Sequence, residues 1–160
     1  MSPVTSAATD QIQCRNARTA AELALHRWIR HQVFVTEQRV FADSDQDEHD
    51  DDPATVHVVG YLDGAGAGTV RLYPVDREPD GGALWKGDRL AVLREYRRHR
   101  LGAPLVRYAV RTAGQRGGSR MIAHVQLSNV GFFRYLGWER VGEPELYVGL
   151  PHQRMSIRLG

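Results

Sequence analysis

The sequence predicts one mixed α/β domain. Two β–α steps, each an apolar strand pattern followed by a helical pattern, are typical of a sheet with a parallel part, and turn signals elsewhere indicate hairpins. The chain has 160 residues, of which 42% are apolar and 25% are charged, which suffices for one buried core. These values exclude a disordered chain, a collagen-like fibre and a disulfide scaffold.

The elements follow from local patterns. In TAAELALHRWIR, residues 19–30, apolar side chains recur at helical spacing, and Thr19 followed by Glu22 is a capping-box signature. We expect a second short helical piece over 35–38. The later predicted elements are strands 56–62, 68–75 and 88–93, helix 103–115, strand 120–127, helix 130–136, and a closing hairpin of strands 145–149 and 153–159. Residues 1–18 are predicted to be a flexible or edge segment and 19–160 to be the single domain.

Cysteine usage and hydropathy predict a cytoplasmic protein. The single cysteine, Cys14, can form no bridge within the chain and no cysteine-based metal site. Residues 1–13 lack a signal-peptide pattern, and no stretch approaches the roughly 18 apolar residues of a membrane span. We therefore expect no membrane partner and no metal, and we leave a homodimer open.

Charge is unevenly distributed, although the net charge is only +2. Residues 43–52, DSDQDEHDDD, hold seven carboxylates, and residues 94–120 hold eight arginines. The acidic run has three open interpretations: a calcium loop, a solvated loop, or a lip that attracts a cationic substrate. Calcium is disfavoured because Glu48 and Ala54 stand where an EF-hand loop needs Gly and Glu. The basic segment indicates an anionic partner, and without a nucleic-acid recognition motif we expect a phosphorylated cofactor and no nucleic acid.

A strand, a basic loop and a helix follow one another at RLAVLREYRRHRLGAPLVRYA, residues 89–109. The free N–H groups and the dipole of such a helix start can hold a pyrophosphate. This segment resembles the acetyl-CoA motif of the GNAT superfamily of N-acetyltransferases, R/Q-x-x-G-x-G/A, with Arg97 first and Gly102 last. Arg100 replaces the middle glycine. It must hold a conformation that glycine tolerates better or contact a cofactor phosphate, unless the loop is rearranged.

Further segments extend the resemblance over residues 20–159. AHVQLSNVGFFRYLGW, residues 123–138, is similar to the strand–helix segment on the far side of the cofactor in this superfamily. VFVTEQ at 33–38, the D-x-D run and GLPHQRM at 149–155 resemble the ElaA-like branch. Together with WKGDRLAV, residues 85–92, they resemble a subfamily labelled nitrogen-starvation N-acetyltransferases, which is associated with nitrilase gene clusters. The resemblance implies a GNAT-like acyl-CoA N-acyltransferase fold, a mostly antiparallel sheet with a splayed parallel strand pair flanked by helices.

The resemblance also implies transfer of an acetyl group from acetyl-CoA to a small amine, by direct attack in a ternary complex. The strand residues that would pair with pantetheine and polarise the thioester carbonyl are Leu90, Ala91 and Val92. The residues that would surround the pyrophosphate are Arg97, Arg98, His99, Arg100, Leu101, Gly102 and Ala103. Asn129 and Phe133 would face the cofactor from the next helix.

The resemblance leaves the acid and base open. Phe133 stands where many GNAT enzymes carry a tyrosine that protonates the CoA thiolate, and Tyr135 points to another face of the helix. Candidate bases are Glu37, at the predicted substrate mouth, and His152, in a predicted loop over the site. His57 and Asp88 are further candidates.

Two other functions stay open. Acyl-homoserine-lactone synthases share the fold and the Val33–Phe34, acidic-run and Arg71 pattern, but usually lack the R-x-x-G-x-G/A loop. A non-catalytic CoA-binding or partner-binding module on the same scaffold is the second. Because the acidic run follows VFVTEQ, we expect the acceptor to be positively charged.

Overall fold

The computed structural model describes residues 11–160. The strands are β1 Ile12–Asn16, β2 Val56–Leu62, β3 Ala65–Arg77, β4 Ala83–Val92, β5 Gly118–Gln126, β6 Glu139–Arg140, β7 Glu145–Tyr147 and β8 Leu150–Arg158. The α-helices are α1 Ala20–Arg30, α2 Gly102–Gln115 and α3 Val130–Tyr135. Of the predicted flexible or edge segment 1–18, residues 12–16 form the edge strand β1, and residues 1–10 lie outside the described part.

The described strands form one sheet in the order β1-β2-β3-β4-β5-β8-β6, with β7 paired to β8. Neighbours run antiparallel except for β4 and β5, which are parallel. A parallel pair needs a crossover connection, and α2 supplies it. The predicted fold class, a mostly antiparallel sheet with one parallel pair flanked by helices, is confirmed.

Helices α1 and α2 cover opposite faces of the sheet. Val58 and Val59 are adjacent on β2, so their side chains point to opposite faces, and they belong to different apolar cores. The core around Val58 contains Leu105 of α2, and the core around Val59 contains Ile29 of α1. The sheet is therefore buried on both sides in this region.

Helix α1 begins where the sequence predicts. The Glu22 backbone N–H donates to Thr19 Oγ1 at 3.1 Å, and the Thr19 N–H donates to the Glu22 carboxylate at 3.1 Å. The helical continuation predicted through 35–38 is present as a π-helical segment, His31–Glu37, which follows α1 without a break instead of forming a second piece. The Gln38 N–H donates to the Val33 carbonyl at 2.8 Å, which closes this wider turn.

Two strand predictions need correction. Strand β4 begins at Ala83, five residues before the predicted start, because residues 83–86 already pair with β5. The closing hairpin turns at Val148 and Gly149, whose φ angles are +47° and +80°, and not at the predicted 150–152 loop. Two consecutive positive φ angles produce a two-residue hairpin turn. Residues 150–152 consequently belong to β8.

Candidate active site

A cleft opens where β4 and β5 separate. Their register runs from Ala83 with Gly118 to Lys86 with Ile122 and then stops. Beyond this point neither strand pairs with the other, so the facing backbone edges of residues 87–92 and 123–126 border an open wedge. The cleft contains about 970 Å³ of empty space, open solvent at its mouth included. An extended chain can pair with either free strand edge.

A β-bulge at Arg89 bends β4 at this wedge. Thr69 of β3 faces Ala91, whereas Arg71 faces Asp88, so β4 carries one extra residue between the two pairs. Arg89 has a φ of +53°, and the Thr69 hydroxyl donates to its carbonyl oxygen at 2.9 Å. Bulges bend a strand and redirect its side chains. This bend accompanies the separation of β4 from β5.

The three strand residues predicted to contact pantetheine lie directly after the bulge. Leu90 lines the cleft, Ala91 is buried, and Val92 is partly buried. Their position on the free half of β4 matches the role that the resemblance implies. That role remains a prediction.

The basic loop leads from β4 into the start of α2. Residues Arg94–His99 form a 3-10 turn, and α2 begins at Gly102 with no side-chain cap. The N–H groups of Gly102 and Ala103 precede the first intrahelical bond, from the Leu105 N–H to the Leu101 carbonyl at 3.1 Å. Such uncapped donors form an anion site together with the helix dipole. Arg98 is exposed, His99 is half-buried, and Leu101 is fully buried in the core.

Arg100 holds the left-handed conformation that the motif's missing glycine would favour. Its φ is +59° and its ψ is +45°. Of the alternatives that the sequence left open, the structure shows the first: Arg100 adopts a conformation that is unfavourable for a non-glycine residue. At Gly102 a Cβ would lie 3.3 Å from the Phe132 ring, a tight contact that this side chain would have to relieve.

Two predicted site residues meet each other. Both oxygens of the Glu37 carboxylate accept hydrogen bonds from the Arg97 guanidinium, and Arg94 lies 3.6 Å away. Arg97 Nε also donates to the Val92 carbonyl at 3.0 Å. The Arg97 hydrogen bonds hold the pKa of Glu37 below its usual value. Glu37 is therefore a weak base, and Arg97 is held against β4 rather than directed freely at a phosphate.

The far wall of the cleft is aromatic. Asn129 and Phe133 line it, and the buried Phe133 ring packs edge-on against Trp138 at 5.3 Å between centroids. Tyr135 is 82% exposed and is not part of the lining. It therefore does not substitute for the missing tyrosine at position 133.

The acidic run is bound to buried arginines. Arg30 of α1 is fully buried and donates to Asp45 at 2.7 Å and to both oxygens of Asp50 at 2.6 and 3.0 Å. These hydrogen bonds hold the pKa of Asp50 well below its usual value although burial opposes the shift. The prediction of a solvated loop is wrong for these two residues.

A second buried arginine connects the same run to β4. Arg71 of β3 donates to both oxygens of Asp47, at 2.7 and 3.0 Å, and to both oxygens of Asp88, at 2.8 and 2.7 Å. The Tyr73 hydroxyl also donates to Asp88, at 3.1 Å. Asp88 is thus saturated with donors, which weakens its candidacy as a base.

Arg89, the bulge residue, completes the network. It donates to the Asp45 carbonyl at 2.7 Å and carboxylate at 3.1 Å, and lies 4.7 Å from the centroid of the Phe41 ring. Three arginines thereby neutralise most of the charge of Asp45, Asp47 and Asp50. The negative charge of the run is thereby reduced, but Asp43, Glu48, Asp51 and Asp52 stay exposed, so a positively charged acceptor stays a prediction. The calcium interpretation is disfavoured further because the arginines occupy the carboxylates of Asp45 and Asp47.

His57 lies beneath this network and outside the cleft lining. Its Nδ1 is 3.9 Å from Asp50, and its ring packs edge-on against His26 at 4.9 Å. Burial lowers the pKa of His57. The imidazole is therefore a neutral packing group away from the reacting centre.

His152 lines the cleft, but not from the predicted loop. It lies on β8 and is 5% exposed. Its Nδ1 is 2.8 Å from the Leu150 carbonyl, a pairing in which Nδ1 carries the proton and Nε2 keeps its lone pair. The His152 ring packs edge-on against Tyr147.

The structure adds two cleft residues that the sequence analysis missed, and a lysine that contacts one of them. Tyr147 of β7 and His124 of β5 stack at 4.2 Å, and both line the cleft. Lys86 Nζ donates to the Tyr147 hydroxyl at 3.2 Å. Burial lowers the pKa of His124, whose buried Nδ1 has no hydrogen-bond partner. Buried and partly buried residues alternate along β5, which indicates that the His124 side chain lies on the face opposite the core residues. Tyr147 could not be predicted to contact His124, because only the β7–β8 hairpin brings the two rings together.

Across residues 11–160, no His, Cys, Asp and Glu side chains form a group of three that could hold a metal ion. No helix in that range is long and apolar enough to cross a membrane.

Comparison with known proteins places the fold and the cleft in context. The family model for the acetyltransferase (GNAT) family matches residues 22–138. YjcF of Bacillus subtilis, named an uncharacterized N-acetyltransferase, is 32% identical over 132 residues, which cover 80% of this chain and 86% of YjcF. A crystal structure described as an N-acetyltransferase from Lactobacillus plantarum has a TM-score of 0.79 at 26% identity, covering 92% of this chain and 98% of that one.

Escherichia coli ElaA has the same fold, with a TM-score of 0.75 at 20% identity over 92% of this chain and 99% of ElaA. The ElaA-like fold is therefore supported, whereas the narrower nitrogen-starvation subfamily stays a prediction. The fold also occurs in BjaI, a CoA-dependent acyl-homoserine lactone synthase, so it does not by itself identify the acceptor. The family match over most of the chain shows that this protein belongs to the GNAT acetyltransferase family and is an acyl-CoA N-acyltransferase.

Proposed function

We propose that this protein transfers an acetyl group from acetyl-CoA to a small amine, by direct attack of the amine on the thioester in a ternary complex. One observation supports this most strongly. The wedge between β4 and β5 is lined by Val106 and Ala109 of α2, and the start of this helix, which follows β4 along the chain, carries no side-chain cap. Pantetheine would pair with residues 90–92, and the pyrophosphate would lie at the N–H groups of Gly102 and Ala103. A backbone N–H fixed on β4 would polarise the thioester carbonyl.

Among the predicted bases, His152 is the one we propose to accept the amine proton. It lines the cleft, and its Nδ1 pairing leaves Nε2 as the basic nitrogen. Glu37 is held by Arg97, and His57 lies outside the cleft. Since Phe133 can donate no proton, CoA would leave as the thiolate or be protonated by water.

Cofactor binding is tested by calorimetry on Gly102→Glu. A glutamate at this position adds a negative charge at the proposed phosphate site and a Cβ 3.3 Å from the Phe132 ring. We expect acetyl-CoA affinity to fall at least tenfold. Gly131→Glu is the matched control, since nothing lies within 4 Å of a Cβ there. Equal acetyl-CoA affinity in folded Gly102→Glu and wild-type protein would refute the phosphate site.

The base is tested by following CoA release over a panel of amines. His152→Gln should lower turnover by about 10²–10⁴-fold at unchanged acetyl-CoA affinity. His124→Gln is the comparison, because His124 also lines the cleft. A loss in His124→Gln with normal turnover in His152→Gln would transfer the role to His124. Cytoplasmic location and homodimer formation stay predictions from the sequence.

A further inference from the structure

Lys86 is the only lysine among the 21 lysine and arginine residues of the chain, and it contacts Tyr147, which lines the cleft. It is the last residue of β4 that pairs with β5 before the strands separate. Its Nζ donates to the Tyr147 hydroxyl at 3.2 Å and lies 4.8 Å from the centroid of the Tyr147 ring. Lys86 is partly buried, and no carboxylate of residues 11–160 pairs with it.

The two carboxylates nearest to Lys86 have other partners. Asp88, two residues further along β4, is occupied by Arg71 and Tyr73. Glu145 is half-exposed and lies 3.8 Å from His124 and 4.0 Å from Arg154. A partly buried ammonium without a counter-ion costs free energy unless a ligand supplies the charge.

We propose that Lys86, together with the Tyr147 hydroxyl, binds the carboxylate of the acceptor, so that the acceptor is an amino acid. The inference rests on the proposed acetyl transfer to an amine and narrows its substrate class. One ammonium and one hydroxyl match a single monoanionic group. A phosphate would instead favour a guanidinium cluster or a helix start, and both lie at the other end of the cleft, around Arg97 and Gly102.

This assignment reverses the charge expected from the acidic run. The carboxylates at 45, 47 and 50 are neutralised by arginines, whereas the lysine at the cleft edge is not. The cleft therefore selects for a negative group beside the reacting amine. Tyr147 connects Lys86 to the cleft. Its hydroxyl contacts Lys86, and its ring lines the cleft and stacks on His124.

A binding measurement tests the site without turnover. Reductive methylation with ¹³C-formaldehyde labels Lys86 and the N-terminal amine, keeps both cationic, and gives two sets of NMR signals. Lys86→Arg identifies the lysine signal by its loss. In the presence of CoA, L-leucine, L-phenylalanine or γ-aminobutyrate should shift that signal saturably. The amines that lack the carboxylate, 3-methylbutylamine, phenethylamine and propylamine, should not. Equal shifts with both sets, or none with either, would overturn the assignment.

Kinetics on the unlabelled protein supply the second test. Lys86→Ala should raise KM for the preferred amino acid by about 10- to 100-fold, as expected on losing a charge-assisted hydrogen bond. KM for the matched decarboxylated amine should hardly change. Arg18→Ala is the control, because Arg18 is an exposed cation next to β1 at the opposite edge of the sheet. Equal losses with both acceptors would mean that Lys86 only supports the β7 hairpin.

The two proposals fail in different ways. If amines are acetylated with no preference for a carboxylate, the acetyltransferase function stands and the Lys86 site is wrong. If no amine is acetylated but amino acids shift the Lys86 signal, the site stands and the proposed reaction is wrong.

Discussion

Replacing one buried carboxylate should destabilise the protein far more than replacing its neighbour. Asp50 and Asp51 are adjacent in the acidic run and look equivalent in the sequence. Asp50 is 6% exposed and accepts two hydrogen bonds from Arg30 and one, at 3.0 Å, from the Asp47 N–H. Asp51 is exposed. Asp50→Asn keeps the side-chain shape but removes one of the two carboxylates that compensate the fully buried Arg30, and the other, Asp45, remains.

The expected loss follows from the burial of this pair. Asp45 still pairs with Arg30 after this change, so the expected cost is that of lost hydrogen bonds between charged groups, about 1.5–3 kcal/mol. For a protein of this length each kcal/mol lowers Tm by roughly 2–4 °C, so Asp50→Asn should lower Tm by roughly 3–12 °C. Asp51→Asn should change the free energy of unfolding by no more than about 0.5 kcal/mol.

Urea and thermal unfolding of the two variants and the wild type provide the measurement. Because folding holds the Asp50 pKa below its usual 3.8, this stabilisation is present above that pH and is lost as the pH falls through the folded-state pKa. The wild type should therefore lose more stability on acidification than Asp50→Asn does. Equal Tm values for Asp50→Asn and Asp51→Asn at pH 7 would refute the argument and restore the solvated loop.

Three further predictions concern the cleft and the core. Glu37→Gln should leave turnover nearly unchanged, measured as CoA release, whereas loss of a true base would cost about 10²–10⁴-fold. Tyr135→Phe should also leave CoA release unchanged, because the exposed Tyr135 does not line the cleft, whereas Phe133→Tyr should retain or raise it. Burial lowers the pKa of His26 from 6.5 to about 3, so its unfolded form binds a proton first as the pH falls. Because folded His26 stays neutral, the free energy of unfolding of the wild type should fall by about 1.4 kcal/mol for each pH unit below 6.5. Urea titrations at several pH values measure this slope, which His26→Gln should reduce.

Most of the fold could be predicted because its signals are local. Thr19 and Glu22 form their capping box within one turn of α1. The apolar run Val56–Leu62 is a strand buried along its whole length, as its composition indicates. The fold class followed from two β–α steps and several turn signals, whereas the order of the strands in the sheet was not predicted. The closing hairpin was misplaced because its turn uses Val148, a β-branched residue that rarely adopts a positive φ.

The site was predicted less completely because it depends on distant pairs. The cofactor loop is contiguous, so its position between β4 and α2 could be predicted. The charge state of the acidic run could not, because Arg30, Arg71 and Arg89 lie on three other elements. Lys86 carries no local signal either, since its significance depends on Tyr147, 61 residues later in the chain.

The arginine–aspartate network and the cleft form one structural unit. Asp88 and Arg89 are consecutive on β4, at the bulge where that strand leaves β5. Through Arg71 and Arg89 this bulge is attached to Asp47 and Asp45 of the acidic segment, and Arg89 also packs on Phe41, which lines the cleft. The segment that seemed suited to attract a cation therefore stabilises the bend of β4 instead. The proposed carboxylate site at Lys86 and Tyr147 uses residues outside this network.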